Sequence, residues 1–171
     1  ENISKNLSRY YDGGSPTALW AVRSKGIDPA TGREIFINKN NELVYSHSFN
    51  DEVEIGDSRP IVEGVFGNTL YWKNFSANVF IRYSYGADML NATLYSKVEN
   101  ISNTEILKNQ DRRALYDRWQ KVGDKAQFKG ISLNERTPIS SRFVQKNNYI
   151  SFESIRIGYD LKPEWLKALH I

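Results

Sequence analysis

Apolar and polar side chains alternate most regularly between residues 75 and 85. Phe75, Ala77, Val79, Ile81, Tyr83 and Tyr85 fall on one phase, and Ser76, Asn78, Arg82 and Ser84 on the other, with Phe80 the exception. Successive side chains point to opposite faces of a strand, so this pattern predicts a strand with one apolar and one wet face. A weaker alternation runs over about 60–72. There Val62, Phe66, Leu70 and Trp72 oppose Glu63, Gly67 and Thr69, while Ile61 and Val65 fall on the polar side. Only Lys73 and Asn74 separate the two segments, which predicts an antiparallel hairpin with Tyr71, Trp72 and Phe75 clustered at its turn. A third long strand is expected over about 149–160. Ile155, Ile157 and Tyr159 alternate well, but Ile150 and Phe152 are out of phase with them, which predicts a bulge or a change of environment near Glu153.

Shorter elements surround these. Ala18, Trp20 and Val22 predict a strand over about 17–24. Residues 33–37 and 43–48, split by Asn38-Lys39-Asn40-Asn41, read as a small hairpin, and Pro163 opens a tight turn or a single helical turn. Between the strands lies a polar insertion over about 87–148, long enough to be a functional or external loop. It holds one helix candidate, about 111–121, with Asp111 as cap, Gly123 just beyond the end, and Leu115/Trp119, Arg113/Asp117 and Asp117/Lys121 at i,i+4 spacing. The fold class expected is all-β, mainly antiparallel.

Composition narrows the chemistry. The chain has 171 residues, 40% hydrophobic and 25% charged, which excludes a fully disordered polymer. Aromatic residues reach 13% although the mean hydropathy is −0.57, a combination that suits strands showing aromatics at an interface. A net charge of +3 is too small an excess to indicate a nucleic-acid partner. No cysteine is present, which excludes disulfides, thiolate metal sites and cysteine nucleophiles. No apolar run approaches the ~18 residues of a spanning helix, and no signal peptide is visible. The chain begins at Glu1 rather than methionine, so a processed product or a piece of something longer is expected.

No catalytic constellation emerges. His47 lies in a polar hairpin and His170 next to the last residue, and both read as surface histidines. Asp51, Glu52, Glu54 and Asp57 read as a solvated acidic loop rather than as paired catalytic carboxylates. The stretch from Asp28 to Glu34 resembles a calcium loop only loosely and reads as a turn. Gly64 and Gly67 lie inside a strand and form no phosphate cradle. Arg112, Arg113, Arg118 and Lys121 are interleaved with aspartates, as on an ordinary charged helix face. The Asn-x-Ser/Thr triplets at Asn2, Asn6, Asn74, Asn91 and Asn100 are expected by chance. We assign no catalytic, cofactor-binding or metal-binding residue, no cofactor and no enzymatic activity, and leave substrate-binding residues unassigned.

An eleven-residue alternating strand with aromatics at both ends also fits a membrane barrel, whose strands need about 9–11 residues. Here the residues resemble a known family. Gly26-Ile27-Asp28-Pro29-Ala30-Thr31-Gly32-Arg33-Glu34-Ile35-Phe36 is similar to the GIDPxTGxEiF stretch of the SusC/RagA family, the TonB-linked outer-membrane transporters of Bacteroidetes. Ala18-Leu19-Trp20-Ala21-Val22-Arg23-Ser24 precedes it in order. Gly56-Asp57-Ser58-Arg59-Pro60, Tyr71-Trp72-Lys73-Asn74-Phe75, Val98-Glu99-Asn100, Asp111-Arg112-Arg113, Arg118-Trp119-Gln120-Lys121-Val122-Gly123-Asp124 and Ser140-Ser141-Arg142-Phe143-Val144-Gln145-Lys146 follow it. The resemblance covers roughly residues 13–169. It departs at Trp72, where tyrosine is common, and at Ala87, where a second glycine is common.

The resemblance implies a carboxy-proximal part of a transmembrane β-barrel, a meander with a long, partly helical extracellular loop. The plug domain, the TonB-contacting segment and the last strands are expected to lie outside residues 1–171. The parent would import oligosaccharides or peptides across the outer membrane. Its partners would be a SusD-like surface lipoprotein, TonB acting through the plug, and outer-membrane lipid, with no nucleic acid. The Lys73-Asn74 and Pro163 turns would face the periplasm and the insertion the outside. The alternative from a different class is a soluble β-sandwich module that stacks sugars on surface aromatics.

Overall fold

The structure, a computed structural model, describes residues 7–132 and 135–168. In chain order the strands are β1 (Ala18–Ile27), β2 (Glu34–Ile37), β3 (Leu43–Val44), β4 (Glu52–Asp57), β5 (Val62–Trp72), β6 (Phe75–Tyr85), β7 (Asp88–Leu90), β8 (Val144–Lys146) and β9 (Tyr149–Tyr159). The helical segments are 3-10 turns at Phe49–Asp51 and Ser141–Phe143, a π-helical turn at Leu94–Glu99, α1 (Arg113–Tyr116) and α2 (Pro163–Ala168). All strand pairs within the sheets are antiparallel. The chain forms two units, one of Pro60–Ala87 with Asn147–Ile171 and the other of Glu1–Arg59 with Asp88–Lys146.

The first unit is a meander, β5-β6-β9. Trp72 pairs with Phe75, so Lys73 and Asn74 alone make the β5–β6 turn, with Lys73 in the left-handed region at φ 54°. The ladder between β6 and β9 breaks once. Phe80 pairs with Ser154 and Ile81 with Phe152, which leaves Glu153 as the extra residue of a bulge. That bulge resets the alternation of β9. Ile150 and Phe152 before it, and Ile155 and Ile157 after it, all share the face of Ile81 and Val79. The other departure, Phe80 on the polar phase, also has a local cause. It stands opposite Gly67, and its ring occupies the space a Cβ at Gly67 would need, 2.6 Å away.

The second unit carries the sheet β3-β2-β1-β4 and the ribbon β7-β8. Its core is Leu94, Val98, Ile101, Ala114, Phe128 and Phe143, with Leu90 and Tyr95 packed against it. Two sequence expectations change here. Residues 52–57 are not a solvated acidic loop. They form β4, paired along β1 from Val22↔Glu52 to Ala18↔Asp57. Val53 and Ile55 alternate with Glu52 and Glu54, so a period of two was present beneath the charges. The helix expected over 111–121 is only Arg113–Tyr116. It stops because Trp119 leaves the helical ladder: its N–H donates to the Phe128 carbonyl, at 2.9 Å. The expected Arg113/Asp117 pair is replaced by Arg113 with Asp111, at 2.7 Å. Far from an open loop, the segment from Asp88 is closed by the β7-β8 ribbon and holds the unit's core.

Candidate functional site: an apolar sheet face and a charge-paired core

The register of the meander decides which side chains share a surface. On one face lie Val62, Phe66, Leu70 and Trp72 of β5, Phe75, Ala77, Val79, Ile81, Tyr83 and Tyr85 of β6, and Ile150, Phe152, Ile155, Ile157 and Tyr159 of β9. Gly64 and Asn68 are the only non-apolar positions of β5 on it. The opposite face carries Glu63, Thr69, Asn78, Arg82, Ser76, Ser151, Ser154 and Arg156. Thr69 donates to Asn78 at 2.7 Å, and Arg82 pairs with the bulge residue Glu153.

The apolar face is uncovered. Ile150 is 76% exposed, Phe152 65%, Ile155 60% and Ile157 75%. So large a contiguous apolar surface is unfavourable against water and marks contact with another apolar phase. Its dimensions indicate which phase. Each strand has 11 residues. That is about 36 Å of strand, or ~25 Å of height at a tilt near 45°, the height of an outer-membrane apolar band. Aromatic rings gather at the hairpin end: Trp72 stacks on Phe75 at 6.3 Å, Phe75 meets Tyr159 at 4.6 Å, and Tyr159 meets Trp165 at 6.1 Å. Tyr83 and Tyr85 stand toward the other end of that face, with Tyr149 beside them on the opposite face. Rings at both borders and aliphatic side chains between them suit a lipid slab. Among the described residues no helix is long and apolar enough to cross a membrane.

In the second unit the scattered sequence motifs converge on Arg142. Its guanidinium lies 2.9 Å from Glu34 and 2.9 Å from Glu99, and donates to the Gln127 carbonyl at 2.7 Å. Ser140 donates to Glu34 at 2.6 Å and Thr137 to Glu99 at 2.9 Å. Asn100 bonds both backbone groups of Thr137, at 3.1 and 2.7 Å. Burial disfavours the Arg142 charge, but the hydrogen bonds and fields of Glu99 and Glu34 outweigh it and raise its pKa. Arg118, also buried, donates to the carbonyls of Ala114, Lys129 and Val98. It is therefore a bracket between backbone segments and not part of an exposed basic helix face.

Nearby, Asp28 folds its turn by accepting from Ala30 N–H and from the hydroxyls of Thr31 and Tyr45. Those bonds lower its pKa, Thr31 the most. Trp119 covers the turn and donates its indole N–H to the Pro29 carbonyl at 3.0 Å. Gly32 sits beneath that ring at φ 70°, where a Cβ would come within 2.5 Å of the ring. Asp28 is thus spent on the turn, as expected for an Asx turn rather than a cation loop. Arg112 stacks on Tyr116 at 5.2 Å. His47 is not a plain surface histidine: it is partly buried between Phe36 and Phe49, with ring centroids 5.4 and 5.1 Å away. His170 lies outside the described residues. No group of three metal-ligating side chains occurs among the described residues.

No family model matches the sequence. Two curated proteins of Formosa agariphila do: TonB-dependent receptor P3, 28% identical over 158 residues and 91% of this chain, and TonB-dependent receptor P39, 24% identical over 145 residues and 81% of it. Over most of its length the chain is similar to TonB-dependent receptors. It spans 14% and 13% of the length of those two receptors. Its fold is found again in a structure of the RagAB peptide transporter, with TM-score 0.77 and 17% identity over 97% of this chain and 18% of that one. The RagAB peptide importer in an open-open state gives TM-score 0.71 and 16% identity over 93% of this chain and 19% of that one. The chain's mostly antiparallel fold is therefore similar to a stretch of these RagAB structures.

Proposed function

We propose that this chain supplies barrel strands and an extracellular insertion to an outer-membrane importer that takes up oligosaccharides or peptides. The observation that carries the reading is the uncovered apolar face of β5-β6-β9, built from three strands of 11 residues with aromatic borders. The residues lining it face lipid, and the Arg82/Glu153 face looks into the barrel. The Lys73-Asn74 and Pro163 turns lie on the periplasmic side. The chain leaves β6 and enters β9 at the opposite end of the meander, so the insertion that follows Tyr85 lies outside. By analogy with the receptors and importers it resembles, import is driven through TonB acting on a plug, and a SusD-like surface lipoprotein captures substrate. Import of this kind makes and breaks no bond in the barrel. The soluble sandwich module is disfavoured because its sheet would have to hide the face that is exposed here.

The test uses the full-length parent protein. Expressed in its own cells, it should fractionate with the outer membrane, migrate as a heat-modifiable barrel, and co-purify with a surface lipoprotein. Deleting its gene should abolish growth on one class of oligosaccharide or peptide. A soluble protein, or a deletion that leaves every such uptake unchanged, overturns the proposal.

A further inference from the structure

The second unit holds a cleft of about 550 Å³, within the usual range for small-ligand sites of ~300–1,000 Å³. Arg33, Lys129 and Arg136 line it together with Tyr45 and Trp119. Arg9, Arg82, Lys97, Lys108, Arg113, Arg142 and Lys146 each have a carboxylate partner. The cleft cations have none within ion-pair distance among the described residues. Of the two carboxylates in the wall, Glu34 is committed to Arg142 and Ser140, and Glu135 is exposed and makes no ion pair with the described residues. Lys129 reaches only the Glu135 carbonyl, at 2.9 Å, and desolvation lowers its pKa, so an approaching anion would relieve a penalty already present. Arg33 lies over the Tyr45 ring at 5.1 Å, which holds its planar fork near the mouth.

We propose that this cleft binds a carboxylate-bearing sugar ring, one unit of an acidic oligosaccharide. Arg33 and Arg136 take the carboxylate by charge-assisted hydrogen bonds. Tyr45 and Trp119 offer flat apolar surface to the ring, and Thr31 and Ser132 stand in the same wall. A sugar fits better than a peptide because the wall offers at most two residues of unpaired strand edge, Glu34 and Ile35, too few to seat peptide backbone. The one strand in the wall, β2, has β1 along one side and β3 opposite Phe36 and Ile37 on the other. The inference rests on the importer reading and names its substrate class.

The test is calorimetric titration of the detergent-solubilised full-length receptor with three probes: a tetrameric uronic-acid oligosaccharide, its carboxyl-reduced neutral counterpart, and tetraglutamate. The uronate should bind, and the neutral counterpart should bind at least about tenfold more weakly. The double variant R33Q/R136Q removes two exposed side chains outside the Arg142 network, and should weaken uronate binding about tenfold while leaving the neutral probe unchanged. Equal affinity for the neutral sugar, an unaffected double variant, or tighter binding of tetraglutamate overturns the proposal. Heat-modifiable migration is read on the same sample. A folded barrel that fails to bind overturns the cleft alone, and a receptor with no barrel overturns the importer reading and the cleft with it.

Discussion

Glu34 and Arg142 stand 108 residues apart in the chain, yet their side chains meet at 2.9 Å with almost no access to solvent. The same guanidinium holds Glu99, so one cation neutralises two carboxylates, and Ser140 and Thr137 fill the remaining acceptor positions. Removing the cation leaves both carboxylates buried and uncompensated. R142A should therefore cost about 3–5 kcal/mol, the usual penalty for breaking a buried pair. E34Q should cost less, because Arg142 keeps Glu99. The check is the denaturant dependence of proteolysis within residues 87–148 of the full-length receptor. Equal protection of R142A and the unmodified protein would count against a structural role for the cluster.

That cluster shows where sequence reading stops. The β5-β6 hairpin is legible because a period of two is a local property: each residue declares its face by its own polarity. The bulge was legible for the same reason, as a phase slip between Phe152 and Ile155. Glu34, Glu99, Arg118 and Arg142 each stood in a recognisable motif, but nothing in their spacing says that Glu34 and Glu99 converge on Arg142. Only long-range packing brings them together. Charge also misled: Glu52 and Glu54 hid a paired strand. The i,i+4 pairs around Asp117 suggested a helix that Arg118 and Trp119 leave to serve the core and the Asp28 turn.

The apolar face gives a directional prediction. Val79 and Ile81 lie near the middle of β6 and face the same way, while Asn78 lies beside them on the other face. A lysine or arginine at the lipid midplane costs about 2–4 kcal/mol. I81K and V79R should therefore impair insertion of the full-length receptor into membranes, and N78R should leave it intact. Heat-modifiable migration after refolding into vesicles measures all three, and normal insertion of I81K would mean that this face is not against lipid.

Deletions at the bulge test the register itself. Without Glu153 the β6-β9 ladder becomes regular, and Phe152 and Ile155 still share a face. The deletion loses the Arg82 ion pair, which is solvent-exposed and contributes little. It should insert normally. Deleting Phe152 instead moves Glu153 opposite Ile81, onto the apolar face, and should block insertion. The same refolding assay separates the two, and an opposite ranking would refute the assigned register.

Gly32 and Trp119 are coupled through both conformation and space. A side chain at Gly32 is strained at φ 70° and also meets the Trp119 ring. G32A should destabilise the turn by about 1–3 kcal/mol. In the double variant with W119A the clash is gone but the strain persists, so the two costs should sum to more than the measured total. Strict additivity would show that the ring does not press on the turn.

His47 supplies a pH dependence whose sign follows from its surroundings. Burial between Phe36 and Phe49 lowers its pKa below the ordinary 6.5, although Glu52, Glu34 and Asp51 pull the other way, as does a backbone hydrogen bond involving Ile139. The unfolded chain therefore takes up this proton before the folded one does. Stability contributed by neutral His47 is present in full above pH ~6.5 and is lost as the pH falls through the lowered value. H47Q removes the titrating group, so the fall in stability on acidification below pH ~6.5 should be shallower in the variant than in the parent. Nuclear magnetic resonance titration of the His47 ring should give a midpoint below 6.5, and a midpoint above it would reverse the sign of the dependence.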